Sequence, residues 1–429
     1  MSEVQNINKW LKKQKKKLVF SVSQKNLTDL EKWKVTEKNI HHESNKFFQI
    51  VGVRVRSNFH RQKTWDQPLF FQNEVGILGI LRRNYKGNYQ YLIQAKMEPG
   101  SINKLQLSPT VQATKSNYTR VHSGKKVMYL NFFKNVKKKQ ILINSLQSEH
   151  GDRCLFKFNK NIIINIRGNI ELGKNFIWVT KNQLNKLIKI NNMLNMNSIS
   201  VLSCAIKSNS HDSPLNSTNQ IISWFKNFKK KYFITSKVIP IDNIKNWEFD
   251  GKSIFHKSKK YFSIIGIKVK TNSREIPSWE QPIIHTTWLG LSGFIMKKIN
   301  HTNHYLVRFT VKSGLRQPGL SCTVYDSSIE TFSANKNYSP RMKKYLSKCF
   351  ISKTRGNVIY NKIQSDEGGR FFHSQTRNII VQIKEGEEIK ADPNYIWMSH
   401  NQILHFIKKG LFNIEARTLF ACVNIKNIL

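Results

Sequence analysis

A strand-like segment of the chain carries acid/base side chains at every second position. In a β-strand alternate residues share a face, so in YLIQAKME (91–98) the polar side chains lie on one face and the apolar ones on the other. The polar set is Gln94, Lys96 and Glu98. A lysine and a carboxyl group on one face perturb each other's pKa, as proton-transfer chemistry often requires. A solvated sheet face has the same pattern, so the strand alone leaves a lined cavity and a solvated face as alternatives.

The loop after this strand is unusually rich in hydrogen-bonding groups. Pro99 and Gly100 end the strand, and TVQATKSNYTR (110–120) then offers hydroxyls, amides and two cations. Hydroxyl and amide side chains suit the hydroxyls of a sugar, and Lys and Arg neutralise phosphate. The same composition is also typical of an ordinary turn. The loop is therefore consistent with a sugar-diphosphate site but does not establish one.

The sequence repeats itself over nearly its whole length. The clearest matches are IVGVRVR (50–56) with IIGIKVK (264–270), WDQPL (65–69) with WEQPI (279–283), and QSEHG (147–151) with QSDEG (364–368). Rare Trp and paired Gly residues stay in register through both halves, which a coincidence of Lys- and Ile-rich segments does not produce. We predict a tandem duplication, with a first repeat at 1–208, a second at 218–429 and a polar linker between them.

Each repeat needs its own set of elements to position these groups. A basic amphipathic helix opens each one, with Ile7, Trp10 and Leu11 at helical spacing in the first. Strand-like segments follow, then a helix over 180–190, and SISVLSCA (198–205) is expected to close the unit as a short strand. This mixture predicts an α+β fold with mixed sheets, in which the repeats have separate cores that pack side by side.

The charge balance suggests an anionic partner. Among 429 residues there are 71 Lys and Arg against 26 Asp and Glu, a formal net charge of +45. Nucleic acid, an anionic membrane or an anionic small molecule all fit such an excess. A basic nucleic-acid-binding protein is one hypothesis, but the charges are spread over both repeats and no RNP, KH, zinc-finger or helix-turn-helix signature occurs. We therefore expect no nucleic-acid partner.

Several classes of protein are disfavoured by the sequence. The five cysteines are widely spaced and form no CxxC pair, which argues against a disulfide framework and a Cys-based zinc site. The first 17 residues are charged and lack the apolar core of a secretory signal. Apolar runs are strand-sized, well short of the roughly 18–20 residues of a membrane span. We expect a cytoplasmic protein without a membrane partner.

The central motif carries a resemblance to a known family. The segments EPG and QLSPTVQATKSNYTRVH, together with WDQP, QSEHG and the duplicated layout, resemble the NDP-hexose 2,3-dehydratases of deoxysugar biosynthesis. The resemblance covers essentially the whole chain. It implies a tandem duplication of two Nudix-like α/β/α sandwich domains, within the α+β class, and a homodimer. No Nudix box is visible in either half, and carboxylates are few, so magnesium-dependent diphosphate hydrolysis is not expected.

The family resemblance implies removal of water across C2 and C3 of a nucleoside-diphosphate 4-keto-6-deoxyhexose. The C3 hydrogen lies alpha to the C4 ketone, so a base removes it if a donor or cation stabilises the enolate. A general acid then protonates the departing C2 hydroxyl, and the enol tautomerises to a 3,4-diketo sugar. This lyase chemistry requires no redox cofactor and no metal. An NADPH-dependent 3-ketoreductase is the expected functional partner.

We assign the candidate site residues to two roles. The candidates for proton transfer are Lys96, Glu98, Tyr118 and His122, and the sequence does not distinguish the base from the acid. The candidates for substrate binding are Trp65, Gln94, Gln112, Thr114, Lys115, Ser116, Asn117, Thr119, Arg120, Ser148, Trp279, Arg370, Arg377 and Asn378. Trp65 and Trp279 have two interpretations, an aromatic anchor beneath a Pro-fixed turn or a surface on which the nucleotide base stacks.

The second repeat departs from the central motif. Arg308, Thr310 and Lys312 occupy the positions of Gln94, Lys96 and Glu98, so the carboxylate becomes a cation. We therefore expect catalysis in the first repeat and little effect on rate from Lys312→Gln. The second repeat is expected to hold the nucleotide or an anion, or to be purely structural. A catalytically inactive sugar-nucleotide binder remains the alternative function for the whole chain.

Overall fold

The two halves of the chain build matching sets of helices. The computed structural model describes residues 3–119, 126–330 and 332–429. The helices in chain order are α1 (Glu3–Lys17), α2 (Lys115–Tyr118), α3 (Leu130–Lys134), α4 (Lys181–Leu187), α5 (Met196–Ser203), α6 (Thr218–Lys231), α7 (Pro340–Leu346), α8 (His400–Lys408) and α9 (Ile414–Asn424). The opening helices α1 and α6 bury Ile7 and Ile221, as the amphipathic pattern predicts.

Strands make up most of each half. In the first half they are β1 (Phe20–Lys25), β2 (Trp33–Val35), β3 (Asn39–His42), β4 (Gln49–Ser57), β5 (Thr64–Phe71), β6 (Gly76–Tyr85), β7 (Asn88–Met97), β8 (Leu105–Pro109), β9 (Val111–Ala113), β10 (Ile141–Ser148), β11 (Cys154–Leu155), β12 (Phe158–Asn165) and β13 (Phe176–Thr180). In the second half they are β14 (Ile234–Ile239), β15 (Trp247–Phe249), β16 (Ser253–His256), β17 (Ser263–Thr271), β18 (Ser278–His285), β19 (Leu289–Ile299), β20 (Thr302–Thr310), β21 (Gly319–Ser321), β22 (Val324–Asp326), β23 (Asn357–Ser365), β24 (Phe371–Phe372), β25 (Gln375–Gln382) and β26 (Tyr395–Ser399).

Each half has one large mixed sheet, and the two large sheets share one topology. The first has the order β10-β12-β6-β7-β13, with β8 beside β7 and β9 beside β6. The second has β23-β25-β19-β20-β26, with β21 beside β20 and β22 beside β19. In the first large sheet β12 pairs parallel with β6, and in the second β25 pairs parallel with β19. All other strand pairs in these two sheets are antiparallel. The repeated mixed architecture is the one that the sequence predicts.

The two smaller sheets exchange strands between the halves. β1 of the first half pairs antiparallel with β17 of the second, and β14 of the second half pairs antiparallel with β4 of the first. The remaining orders, β2-β3-β4-β5-β11 and β15-β16-β17-β18-β24, correspond strand for strand. Each half therefore completes a sheet of the other.

The expectation of two separate cores is wrong. The largest apolar cluster contains buried residues of both large sheets, from Ile7 and Tyr91 in the first half to Tyr305 and Phe420 in the second. A second cluster contains Trp33 and Trp247, again one from each half. Apolar residues near the junction of two related units are buried by the partner unit, so the two cores merge. Sequence periodicity reports that a face is apolar but not which surface covers it.

The segment 198–205 is also not a strand. Most of it belongs to α5, whose N-cap Asn195 accepts a hydrogen bond from the backbone N–H of Ser198 at 2.8 Å. All residues of α5 are buried, where it packs against α9 of the second half. A helix that is buried on every side has small or apolar residues on all of its faces. A short stretch of its sequence therefore has the same pattern as a buried strand.

The duplicated WDQP and WEQP segments secure the exchanged strands. They lie inside β5 and β18, so the interpretation of a Pro-fixed turn is wrong. Glu280 accepts from Lys25 Nζ of β1 at 3.0 Å and from the backbone N–H of Glu31 at 2.7 Å. Asp66 accepts two hydrogen bonds at 2.9 Å from Arg54 and one at 3.0 Å from the backbone N–H of Lys245. The acidic residue of each motif thus ties its sheet to the segment that enters from the other half.

Glycine allows one close crossing of the halves. The backbone N–H of Gly100, just after β7, donates to the carbonyl of Gly368 at 2.7 Å. A Cβ at Gly100 would collide with the backbone carbonyl of Phe371. We expect Gly100→Ala to lower the free energy of unfolding by about 1–3 kcal/mol, because backbone must shift to admit the methyl group.

Urea denaturation followed by tryptophan fluorescence measures this change. The matched control is Gly386→Ala, since a Cβ at Gly386 would meet no atom within 4 Å. Equal stability of Gly100→Ala and Gly386→Ala would show that the crossing of the halves is looser than the structure indicates.

Candidate active site

A cavity of about 660 Å³ lies where the two halves meet. The end of β7 and the start of α2 form one wall, and the segments before β18 and before β24 form the opposite one. Its polar and charged lining residues are Glu31, Lys32, His42, Glu43, Ser44, Gln72, Lys96, Glu98, Gln112, Thr114, Ser116, Asn117, Glu149, His150, Lys157, Asn159, Arg274, Glu275, Ser278, Glu280, Gln281, Glu367 and Arg370. The predicted first-repeat pocket is therefore one wall of a larger site that the second repeat completes.

Lys96 and Glu98 are both buried in this wall, with 8% and 3% of their surfaces exposed. That placement excludes the solvated-face alternative. Lys96 Nζ donates to the backbone carbonyl of Gln112 at 3.2 Å. Burial, assisted by the nearby Arg274 guanidinium, lowers the pKa of Lys96 to about 8.

Glu98 lies between two opposing influences. Burial raises the pKa of its carboxyl above the usual range, and the Glu367 carboxylate adds to this, while Lys96 acts in the opposite direction. Its Oε1 atom accepts from Gln112 Nε2 at 2.7 Å. Its Oε2 atom is buried and has no hydrogen-bond partner among the residues that the structure describes. Glu98 therefore has one carboxylate oxygen without a partner among the described residues, which is what a group that takes a proton from a ligand needs.

Gln112 joins the two halves at the centre of the wall. The same Nε2 group that bonds Glu98 also donates to Glu367 Oε1 at 3.2 Å. Asn195, the N-cap of α5, holds the other end of the amide by donating to Gln112 Oε1 at 3.1 Å. The orientation of the Gln112 amide is therefore set by its three partners, Glu98, Glu367 and Asn195. A second-repeat carboxylate, Glu367, joins the first-repeat pair in this way.

The polar loop is both a turn and part of the cavity wall. Asn117 Oδ1 accepts from the backbone N–H of Thr114 at 3.1 Å and from its hydroxyl at 2.8 Å, and the Ser116 hydroxyl lies 2.9 Å from that of Thr114. These bonds form the start of α2, and all three residues line the cavity. The sequence left a turn and a binding loop as alternatives; the segment is a turn, and it also lines the cavity.

The floor of the cavity holds groups that sequence analysis did not select. Asn159 Nδ2 donates to Glu149 Oε1 at 2.6 Å, and burial with the nearby Glu367 carboxylate raises the pKa of Glu149. The adjacent His150 lies 3.2 Å from Glu415 through its Nδ1 atom. Asn159 lies in β12, and Glu149 and His150 lie in the QSEHG segment. The recurrence of that segment as QSDEG in the second repeat is the sequence signal that could have identified Glu149 and His150.

Aromatic and cationic side chains line the remaining wall. The Arg370 guanidinium lies 4.1 Å from the centre of the Phe48 ring, and its Nη2 atom donates to Gln72 Oε1 at 3.0 Å. Arg274 donates to the carbonyl of Met97 at 3.0 Å and lies 5.7 Å from the centre of the Trp279 ring. Flat rings beside guanidinium groups suit a base and a diphosphate.

Several predicted binding residues lie outside the cavity lining, namely Trp65, Gln94, Lys115, Thr119, Ser148, Arg377 and Asn378. Trp65 instead donates to Gln67 Oε1 at 2.8 Å. Ser148 is buried, and its carbonyl accepts from Arg417 at 2.8 Å. Arg120 and His122 lie outside the described residues, and for Tyr118 only the backbone position in α2 is described.

The equivalent place in the second half is filled by a buried ion cluster. Lys312, at the position of Glu98, lies 2.9 Å from Glu415 Oε1 and 3.4 Å from Asp152 Oδ1. Tyr325, at the position of Gln112, donates to Asp152 at 3.1 Å. Lys312 is thus already neutralised by two carboxylates, which argues against the expectation that an anion binds there. Its contact with Glu415, the partner of His150, makes Lys312→Gln unsuitable as a silent control.

The part of the chain that the structure describes contains no helix with the length and apolar character that crossing a membrane requires. All five cysteines are buried, and none of them forms a disulfide bond.

Comparison with known proteins identifies the family. A family model described as NDP-hexose 2,3-dehydratase matches residues 4–205 and again residues 218–423. The chain is 32% identical to the dTDP-4-dehydro-6-deoxy-alpha-D-glucopyranose 2,3-dehydratase of Amycolatopsis orientalis, over 98% of this chain and 90% of that protein. Proteins of the same name from Streptomyces violaceoruber and Saccharopolyspora spinosa are 32% and 31% identical, covering 94% and 92% of this chain and 93% and 86% of the relatives. The duplication and the cavity between the halves thus belong to a member of the NDP-hexose 2,3-dehydratase family.

Proposed function

We propose that this chain eliminates water across C2 and C3 of a nucleoside-diphosphate 4-keto-6-deoxyhexose, with dTDP-4-dehydro-6-deoxyglucose, the sugar named in its relatives, as substrate. The observation that carries the proposal is the burial of Lys96 and Glu98 side by side in one cavity wall. Burial gives the pair pKa values shifted toward neutrality, as acid/base catalysis requires.

Glu98 is the proposed base for the C3 proton. Its Oε2 atom is free to approach the substrate, while its Oε1 atom is held by Gln112. A carboxylate whose pKa is raised by burial accepts a proton more readily than one in water. The C3–H bond breaks, the proton passes to Glu98, and the electron pair moves into the enolate that ends at the C4 oxygen.

Lys96 is the proposed partner of that enolate. Its ammonium group lies on the same strand face, two residues before Glu98. In a buried site a fixed positive charge stabilises a developing oxyanion more strongly than it does in water. The Lys96 pKa of about 8 leaves the group largely protonated at neutral pH. Tyr118 and His122 remain predicted proton-transfer residues on the basis of the motif.

The nucleotide portion is proposed to lie along the aromatic wall. Trp279 offers a ring face near the Arg274 guanidinium, and the Arg370 guanidinium lies over the buried Phe48 ring, which holds it at the cavity wall. Stacking of a base on a ring and pairing of a diphosphate with guanidinium groups are both favourable contacts. Three of these four residues come from the second repeat, so the second half is proposed to hold the nucleotide while the first carries out proton transfer.

The test is a coupled incubation. Purified protein, dTDP-4-keto-6-deoxyglucose, a 3-ketoreductase and NADPH are combined, and mass spectrometry follows the sugar nucleotide. The expected product is one oxygen atom lighter than the substrate, because water is lost and two hydrogens are added. Binding of the sugar nucleotide without this product would instead establish the inactive binder. Binding of nucleic acid without either would favour the basic nucleic-acid-binding alternative.

Further parts of the proposal come from the family resemblance. We infer that each repeat is a Nudix-like α/β/α sandwich, bounded at 1–208 and 218–429, and that the chain forms a homodimer in the cytoplasm. The proposed elimination leaves a ketone at C3, which is the group that a ketoreductase reduces, so an NADPH-dependent 3-ketoreductase is the proposed next enzyme. Analytical ultracentrifugation tests the dimer directly.

A further inference from the structure

One side chain on the cavity floor has a polar atom with no partner. His150 lines the cavity and is 4% exposed. Its Nδ1 atom lies 3.2 Å from Glu415 Oε1, whereas its Nε2 atom is buried and, among the described residues, meets no hydrogen-bonding group. A buried N–H without a partner is costly, so an orphaned ring nitrogen in a cavity wall indicates a group that a ligand completes.

Side chains of the second half hold this imidazole in place. The ring packs edge-on against Phe371, with ring centres 4.8 Å apart. Glu415 Oε1 is shared between His150 and Lys312, whose Nζ lies 2.9 Å away. Lys312 also lies 3.4 Å from Asp152, which follows His150 in the same loop. The ion cluster that replaces a second catalytic site therefore fixes the orientation of His150.

The charged groups around His150 favour its protonated form. The acidic neighbours are Glu415 from α9, Asp366 from the second-repeat loop, and Glu149 and Asp152 from its own segment; the cations Lys312 and Arg417 interact with these carboxylates. Burial disfavours the imidazolium, but the hydrogen bond with Glu415 and the other carboxylates outweigh it and raise the pKa of His150 to about 9. A proton on both ring nitrogens makes Nε2 a donor.

We propose that His150 is a catalytic residue of the elimination, its Nε2–H donating the proton to the departing C2 hydroxyl. The inference rests on the proposed function and supplies the acid that Glu98 and Lys96 leave unassigned. The C2–O bond breaks with its electron pair on oxygen, which takes the Nε2 proton and leaves as water. The enolate electron pair forms the C2–C3 double bond. His150 is then neutral and Glu98 protonated, and exchange with solvent restores both.

Glu415 and Lys312 act as positioning residues in this scheme. Glu415 orients the ring through Nδ1 and keeps the imidazole charged, and Lys312 holds Glu415. The second repeat has Glu367 at the position of His150 and Lys312 at the position of Glu98. Its departures from the first-repeat motif therefore support chemistry in the first-repeat pocket.

The decisive variant is His150→Gln, which keeps an N–H group but cannot donate its proton. With substrate in D₂O and no reductase, NMR follows exchange of the C3 hydrogen separately from loss of the C2 hydroxyl. We expect elimination to fall by about 10²–10⁴-fold, while C3 exchange persists because Glu98 and Lys96 are unchanged. His150→Asn is the second variant, and circular dichroism verifies that each is folded.

The control is His400→Gln, another buried histidine, whose Nε2 atom lies 3.2 Å from the carbonyl of Lys207 outside the cavity. It should leave both rates near those of the wild type. Elimination at the wild-type rate in His150→Gln overturns the inference and leaves the proposed function intact. If His150→Gln lowers C3 hydrogen exchange and elimination by the same factor, His150 is not the general acid. Absence of product from the wild-type protein refutes the proposed function itself.

A titration of the protein without substrate tests the positioning residues. With ¹⁵N-labelled histidine, the His150 ring is expected to stay protonated through neutral pH and to lose its proton near pH 9. In Glu415→Gln the hydrogen-bond acceptor remains but its charge is lost, so the pKa of His150 in the same titration should fall. A neutral His150 at pH 7 in the wild type contradicts the proposal.

Discussion

Glu98→Gln should lower the rate of dehydration by about 10²–10⁴-fold, the usual effect of removing a positioned general base. The two side chains have nearly the same volume, so the buried wall should repack with little strain. The amide can still bond Gln112 but cannot accept the C3 proton. The coupled assay with a ketoreductase measures the rate. NMR in D₂O should also show loss of C3 hydrogen exchange, in contrast to His150→Gln.

Asp326→Asn is the matched control for Glu98→Gln. Asp326 is also a buried carboxyl with a raised pKa, and it lies outside the cavity lining. We expect this variant to turn over substrate at nearly the wild-type rate. If both variants remained fully active, the base would have to be sought elsewhere, and the motif residue Tyr118 would be the next candidate to test as Tyr118→Phe.

Lys312→Gln should lower the free energy of unfolding by about 3–5 kcal/mol, because removing one partner leaves buried charges unpaired. Lys312 is 7% exposed and contacts both Glu415 and Asp152. The variant should also disturb the orientation of His150 through Glu415. The sequence alone predicts little effect of this substitution on the rate and gives no prediction of its effect on stability. Urea denaturation at neutral pH measures the loss of stability.

Lys257→Gln provides the control for the loss of an ion pair. Lys257 and Glu248 form a pair on the surface, at 3.5 Å, with both side chains more than half exposed. Exposed pairs contribute about 0–1 kcal/mol, so this variant should be nearly as stable as the wild type. If the Lys312→Gln protein is as stable as the Lys257→Gln protein, water screens the charges of Lys312, Glu415 and Asp152.

The same cluster should make the protein sensitive to acid. Burial acts to raise the pKa of Glu415, but Lys312 and His150 outweigh it and lower that pKa to about 2. A carboxyl with a pKa below its unfolded value stabilises the folded state above that value and loses this contribution as pH falls. We therefore expect stability to decline from roughly pH 4.5, the ordinary glutamate range, toward pH 2. Glu415→Gln should flatten that part of the curve.

Local patterns in the sequence were sufficient to predict one wall of the site. Alternation along β7 placed Lys96 and Glu98 on a common face, because side chains in any strand alternate whatever surrounds them. The composition of the following loop likewise identified Gln112, Thr114 and Ser116, which all line the cavity. The internal repeat predicted two halves of like topology, since register between related segments needs no knowledge of packing.

Only the tertiary structure decided what faces that wall. Glu367 approaches Lys96 and Glu98 from more than 250 residues away, through a crossing at Gly100 that local sequence does not reveal. The role of His150 likewise depends on Glu415, which lies in a helix at the other end of the chain. Sequence by itself thus determined the elements, the repeat and the chemistry of one strand. Which half covers which face was decided by burial of apolar surface between the halves, a property of two surfaces together and not of either segment alone.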